Sequence, residues 1–546
     1  MAGGGSLGPE WVDEFLLAGA ADDACLHLGE PISRGGLRRL VARRREVLAE
    51  AGLRHGGSVA LCLAPSVAFI ANLLASWQIG AQAALLDHRL TPFEVDVALQ
   101  RLLPQVVVTA ERSAGSSLRA FADVTEQVRP YPGQPAATTH ALIQLSSGST
   151  GPSKIIARDA ASLVEEVRRY TVIDGVPQAG ERIVSLASMV HVLGLVGGLL
   201  YCLHARVNLT MPARTTPDGI LAAVAADSRP TTLLGVPFHI ELLASVPRPP
   251  RLPQLTGMTT GGEFVRADVY DAFRGRYDIR LGNMYGMTEV GVIATDLFGV
   301  RRPAVMPVAG LTVREEAGEL HVSLAASPYL GEQDPKRWSD GWLHTHDAGS
   351  VDRRTGAVRV LGRRDSQVSV GGLKVDLTEV EHMLAALPEV AGAVVVHDQA
   401  IEAYLVLTEG ERVSAVERAI TTRLAAYKRP RRLHVVSQLP RTATGKLVRD
   451  RTVLRKDAPD MIEEIRQFVL SSLTDMNYSI DDIDDDSVLG PAGADLESLA
   501  LAELAVRAED RFGVKFDDDE IETIAGMTVG EFCRAVAPRI QSAPAR

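Results

Sequence analysis

Lysine is scarce in this chain of 546 residues. Lys154, Lys336, Lys374, Lys428, Lys446, Lys456 and Lys515 are the seven, and the other 50 of the 57 basic residues are arginine. Where arginine is written almost everywhere, some of the few lysines are expected where a compact ammonium is needed; chance survival on the surface is the alternative. Cysteine is scarcer still. Cys25, Cys62, Cys202 and Cys533 lack the spacing of a metal site or a disulfide framework, so they read as buried hydrophobes in a reducing compartment. No secretory leader is expected, because residues 1–9 are Gly-rich and lack a basic region followed by an apolar run. The longest apolar stretch, residues 189–203, is broken by His191 and glycines and is too short to cross a bilayer. The implied location is cytoplasmic, with no membrane partner. Positive charge is not in excess either. The formal net charge is −11, and acid gathers at Asp481, Asp482, Asp484, Asp485 and Asp486 and again at Asp517, Asp518, Asp519 and Glu520. That speaks against nucleic acid as a partner. It leaves docking to basic protein surfaces, or simply a solvated small domain.

What is present is a long, regularly punctuated globular chain. Hydrophobic residues make up 46% of it, and its length implies about two to four domains. Strand-length apolar runs at 59–63, 105–109, 182–186 and 231–236 alternate with helical patterns at 65–78, 160–170 and 219–226. Such alternation predicts an α/β fold with largely parallel sheets. From Gly362 the pattern changes to a turn and strands over 362–375, a helix over 377–387, strands at 393–397 and 403–407, and a helix over 413–427. This predicts a small α+β domain. After a linker at 458–460, Ile462, Ile465, Phe468, Val469 and Leu473 share one helical face, a second helix spans 498–512, and shorter helices fill 523–536. The expected division is a large multi-sheet domain over 1–361, a small domain over 362–455 and an acidic four-helix bundle over 456–546.

Four motifs carry chemistry. Residues 145–154 read L-S-S-G-S-T-G-P-S-K. Hydroxyls and permissive glycines let backbone N–H groups of such a loop cradle phosphate oxygens, although the P-loop pattern G-x-x-x-x-G-K-[ST] is not matched. Residues 283–291 read N-M-Y-G-M-T-E-V-G, residues 440–446 read P-R-T-A-T-G-K, and residues 495–499 read D-L-E-S-L at the start of an amphipathic helix.

The first three resemble, in order, the signatures of the adenylate-forming ligases, the superfamily of acyl- and aryl-CoA synthetases and peptide-synthetase adenylation domains. The fourth resembles the attachment site of a phosphopantetheine carrier. The resemblance implies a phosphate loop from Ser146, Ser147, Gly148, Ser149, Thr150, Gly151 and Lys154, with Lys154 facing the leaving pyrophosphate. It implies that Tyr285 stacks on adenine within Asn283, Gly286 and Met287, that Thr288 contacts phosphate, and that Glu289, with Thr150, helps hold Mg²⁺. Residues 259–263, T-T-G-G-E, resemble the turn beside adenine and bring in Gly261, Gly262 and Glu263. Asp347 matches the carboxylate that grips the ribose hydroxyls, although His346 stands before it where the family has a small residue. Arg363 matches a ribose- or phosphate-contacting arginine, Asp365 the hinge of a mobile lid, and Lys446 the lysine that bridges carboxylate and α-phosphate during adenylation. Ser498 matches the phosphopantetheine site, which calls for a phosphopantetheinyl transferase. Expected cofactors are thus ATP, Mg²⁺ and 4′-phosphopantetheine.

The acid is constrained by an absence. Amino-acid-activating members place an Asp after the phosphate loop, whereas here no acidic residue occurs between Glu181 and Asp218. The stretch M-V-H-V-L-G-L resembles the acyl- and aryl-ligase pattern instead, so His191 and Gly194 are expected at the pocket unless His191 is an ordinary core histidine. An unpaired ammonium in a closed pocket is costly, which favours an aryl or short acyl acid. The expected activity is an acid–thiol ligase that loads its own carrier and hands the thioester to a downstream enzyme of nonribosomal peptide or polyketide type. An acid–CoA ligase with a vestigial carrier and an amino-acid-activating didomain are the alternatives.

Overall fold

The computed structural model describes residues 7–542 except 111–119, 147–153, 263–264, 266, 332–333, 365, 398–399, 409–412, 437, 441–448, 450–453, 455–460, 477, 479, 481–482, 491–495, 513 and 517. Contacts divide the chain into two compact units, residues 1–383 with 417–429, and residues 384–416 with 430–546.

In the first unit the apolar runs become two sheets. The nine-stranded sheet has six parallel strands at its centre, in the order Arg280–Met287, Leu255–Gly261, Thr231–Gly235, Arg182–Ser185, Asn208–Thr210 and Ala24–Leu28, with antiparallel strands at both margins. The six-stranded sheet sets Val106–Ala110, Ser58–Cys62, Gln82–Leu85 and Leu142–Ser146 in parallel, flanked by antiparallel Glu126–Pro130 and Lys154–Arg158. Several of the connecting helices start at a side-chain cap. Ser66 caps Val67–Ile79 and left-handed Gly80 ends it; Thr91 and Glu94 form a reciprocal box at Pro92–Leu102; Asp159 caps Ala160–Thr171. A third, antiparallel sheet follows, built from Val313–Glu316, Glu319–Ser323, Trp342–Val351, Trp338–Ser339 and Val358–Arg363.

The apolar stretch near His191 forms a wide helical turn, Leu193–Leu200, of the i→i+5 type that recurs at functional sites. The helix expected over 413–427 is shorter. It closes at Arg423 because Arg429 donates to the Leu424 and Thr421 carbonyls, and a tight turn, Ala426–Lys428, follows.

The second unit contains the three-stranded sheet Val390–His397, Ile401–Leu407 and Arg432–Val435. It also contains the helices Met461–Asp475, Ser498–Phe512, Asp518–Ala525 and Val529–Ser542, which close on a core of their own that includes Ile465, Val469, Leu504, Ala508, Phe532 and Val536. No described helix is long and apolar enough to cross a membrane. The four cysteines are free, and all but Cys62 are buried.

Candidate active site

A cavity of about 860 Å³ opens in the first unit where parallel strands end. Ligand sites of α/β sheets form at such carboxyl ends, because the loops there leave backbone groups and side chains unclaimed by the sheet. Pro65 follows Ser58–Cys62, Arg89 follows Gln82–Leu85, His191 and Gly194 follow Arg182–Ser185, and Phe238 and His239 follow Thr231–Gly235. Gly261, Gly262, Tyr285, Gly286, Met287 and Thr288 line it as well. A hairpin, Gln367–Val370 with Leu373–Asp376, contributes Lys374, whose ammonium donates to the Gly262 carbonyl at 2.7 Å. Two glycines here have steric reasons. Gly262 has φ +95°, a left-handed backbone, and a Cβ on Gly194 would lie 2.3 Å from the Ser188 carbonyl.

The expectation that no carboxylate reaches His191 is corrected. Asp87, only 9% exposed, lies 3.8 Å from His191 Nε2. It comes from the other sheet, so the acid-free interval in the sequence did not reveal it. It is not available to a substrate ammonium, because Arg89 grips it at two points, Nε to Oδ1 at 2.8 Å and Nη2 to Oδ2 at 2.6 Å. Burial works to raise the Asp87 carboxyl, but Arg89 outweighs it and holds the group at about 2. Desolvation, only partly offset by Asp87, keeps His191 below its ordinary value and neutral at pH 7. His239 is neutral too, pushed down to about 4 by burial. Its Nδ1 accepts the Val236 N–H at 3.2 Å, so the ring proton sits on Nε2. Glu166, at the cavity wall, is paired with buried Arg158 and accepts the Val292 N–H. The wall therefore carries paired Glu166, neutral imidazoles and one exposed carboxylate, Asp123, among apolar groups such as Phe238, Leu193 and Met284.

The nucleotide-motif residues gather partly around Asp347. Tyr285 donates to its Oδ2 at 2.6 Å, and Arg363 contacts its Oδ1 at 3.2 Å and the Thr345 carbonyl at 3.0 Å. His346 has φ +57°, which explains why a small residue suits that position; its N–H is held by Glu319 at 3.0 Å. Asn283 does not join this group. It borders a separate small void with Tyr270 and Arg302, and its Oδ1 is buried without a partner. Lys154 pairs in register with Ser146 where Leu142–Ser146 meets Lys154–Arg158. It is 5% exposed, its Nζ has no hydrogen-bond partner among the described residues, and it lies 5.9 Å from the centre of the Tyr329 ring. The Tyr329 hydroxyl donates to Glu289 at 3.0 Å, and burial raises the Glu289 carboxyl. A buried ammonium without an acceptor and a desolvated carboxyl fit, respectively, a phosphate oxygen and a divalent cation.

Ser147, Gly148, Ser149, Thr150, Gly151, Glu263, Asp365 and Lys446 lie outside the described residues, and for Ser146 and Ser498 only the backbone is described, the first ending a strand and the second opening a helix. Sequence reasoning missed Asp87, Arg89, His239 and Lys374. His239 had the signal of position, shortly after the strand expected at 231–236, and Lys374 that of rarity; Asp87 and Arg89 follow Gln82–Leu85, a strand the sequence reading did not mark.

Comparison with known proteins agrees with this geometry. Residues 18–317 match the family of AMP-binding enzymes and residues 379–446 the AMP-binding enzyme C-terminal domain. The p-hydroxybenzoic acid–AMP ligase FadD22 of Mycobacterium tuberculosis is 27% identical over 499 residues, covering 83% of this chain and 69% of that protein. A feruloyl-CoA synthase of Amycolatopsis sp. is 28% identical over 466 residues, covering 78% of this chain and 94% of that one. Among solved structures, o-succinylbenzoate CoA synthetase of Bacillus subtilis shares the fold with TM-score 0.69 at 21% identity, over 82% of this chain and 99% of its own. With the family model spanning more than half of its length, the chain belongs to the AMP-binding enzymes, the adenylate-forming acid–thiol ligases.

Proposed function

We propose that this ligase activates an aryl or short acyl carboxylic acid with ATP and transfers the acyl group to a phosphopantetheine thiol on Ser498 of its own C-terminal segment. The product would be a starter or precursor unit for nonribosomal peptide or polyketide assembly. The observation that carries the substrate class is the Asp87–Arg89 pair: the one described acid within reach of His191 is already neutralised. An α-ammonium seated beside His191 loses water and gains no partner there, a penalty of about 1–3 kcal/mol; Asp123, the exposed acid on the cavity wall, is the carboxylate that an amino acid would have to reach instead.

In this reading Lys154 and the loop that precedes it hold the phosphates, and Asp347 and Arg363 hold the ribose. Glu289 and Thr150 would bind Mg²⁺, which when bound neutralises triphosphate charge and orients the α-phosphate. Lys446 stabilises charge at in-line attack of the carboxylate on the α-phosphate, and rotation about Asp365 then removes it for the thiol step. Ser498 opens a 15-residue helix, whose N-terminal dipole favours an attached phosphate. The arm, when attached, supplies the accepting thiol.

ATP–pyrophosphate exchange over a panel of acids tests the first half. A benzoic or cinnamic acid should exceed phenylalanine by roughly ten- to a hundredfold in specificity constant; preference for the amino acid ends this reading. Intact-protein mass spectrometry after a phosphopantetheinyl transferase, CoA, ATP and acid tests the second. The wild type should gain an arm and then an acyl group, and Ser498→Ala should gain neither while keeping exchange. Turnover with free CoA at full rate in Ser498→Ala would instead favour the acid–CoA ligase reading, which the likeness to a feruloyl-CoA synthase supports.

A further inference from the structure

The antiparallel sheet that carries Asp347 holds a second cluster outside the cavity. Glu319 and His321 are two apart on the strand Glu319–Ser323 and so share a face. His344, on Trp342–Val351, is the cross-strand partner of His321. One ligand atom from each of the three lies within 4.8 Å of the other two. The two imidazoles are 4.3 Å apart, centre to centre.

The local bonding does not account for this arrangement. His321 is 5% exposed, and among the described residues its Nδ1 has no hydrogen-bond partner. The nearest acid to that nitrogen, Glu316 Oε2, stands at 3.7 Å, and Glu316 is committed to Arg314 at 2.9 Å. The Arg314 guanidinium is in turn stacked on Trp342 at 4.0 Å. Meanwhile the other two residues are oriented from outside. Ser339 Oγ lies 3.1 Å from His344 Nε2, the His346 N–H donates to Glu319 Oε1, and Arg364 approaches Glu319 Oε2 at 3.4 Å. Groups that orient a carboxylate and an imidazole while a neighbouring buried ring nitrogen stays orphaned are the outer shell expected of a metal centre.

We propose that Glu319, His321 and His344 bind a divalent transition metal of the zinc class, stapling these two strands together. Two imidazoles and a carboxylate suit zinc or cobalt, and not the all-oxygen preference of Mg²⁺. Bonds of about 2.0–2.2 Å require ligand atoms roughly 3.4 Å apart, so the three side chains draw together by about an ångström on binding. The centre is structural. The backbone turn at His346 is tied to Glu319 and immediately precedes Asp347, so the ion would stiffen the strand that presents Asp347.

The test uses full-length, untagged, chelator-treated protein with zinc or cobalt and no nucleotide. Expected are one high-affinity zinc per chain by calorimetry and a cobalt ligand-field absorption band that zinc abolishes. A rise of a few degrees in melting temperature and slower amide exchange over residues 343–348 should accompany them. His344→Ala and His321→Ala should lose the band and the high-affinity site, and Glu319→Gln should weaken zinc at least about tenfold. Unchanged zinc affinity in His344→Ala overturns the proposal. So does wild-type protein without a cobalt band, a measurement that stands even if a variant fails to fold.

Discussion

At the edge of the cavity, one ion pair neutralises a buried carboxylate. Arg89 holds Asp87 at two points, 3.8 Å from His191. Arg89→Met leaves Asp87 unpaired, and a free carboxylate beside the pocket is what an α-ammonium needs. The preference for a neutral acid over its α-amino analogue in pyrophosphate exchange should therefore shrink by about tenfold, the equivalent of about 1.4 kcal/mol; an unchanged ratio would show that Asp87 does not face the substrate. Asp87 also sets an acid limb. Its folded value of about 2 lies below the ordinary 3.8, so its contribution to stability is present above 3.8 and is lost as pH falls toward 2. Asp87→Asn should flatten that part of the acid-denaturation curve, by at most about 2 kcal/mol because Arg89 is partly exposed. None of this was legible in the sequence. Asp87 and His191 follow strands of different sheets, and only the packing of those sheets brings them together.

At the scale of elements, the turn Ala426–Lys428 is held by charge. Lys428, 8% exposed, donates to Glu94 on Pro92–Leu102 at 2.9 Å and to Glu379 on Leu377–Ala385 at 3.0 Å. Burial acts to lower the ammonium, but Glu379, Tyr427 and Glu94 outweigh it and raise it above the ordinary lysine value. Glu94 is also half of the capping box with Thr91, so one carboxylate ties a helix start to the turn. Lys428→Ala leaves two carboxylates facing each other without a cation, a loss of about 3–5 kcal/mol where such a pair is buried. Hydrogen exchange should accelerate over residues 417–429 and at the start of Pro92–Leu102. Lys428→Met, of similar length, should show nearly the same loss, because charge and not volume is missing; full recovery in Lys428→Met would make this a packing site. The scarcity of lysine flagged the position without saying what it bonds. Helix starts at Ser66, Thr91 and Asp159, in contrast, are local signals, and the helices begin where those caps stand.

For the whole molecule, the C-terminal helices are the part whose independence can be tested. Their core, from Ile465 to Val536, contains no residue of the strands before it. A chain ending at residue 455 should therefore still catalyse pyrophosphate exchange at the wild-type rate while losing the capacity for covalent loading; loss of exchange would make residues 456–546 part of the activation machinery. Read alone, the sequence determined the α/β alternation, helix beginnings such as those near Ser66 and Asp159, and the family motifs around Lys154 and Tyr285. All of these depend on side-chain period, caps or loop composition within a few residues, and local sterics carry that information. Tertiary structure alone decided the approach of Asp87 to His191, the Lys428 pairs and the His321–His344 contact. Each joins groups far apart in the chain, and whether a buried charge or imidazole is matched depends on what the folded sheets place beside it, which no local pattern records.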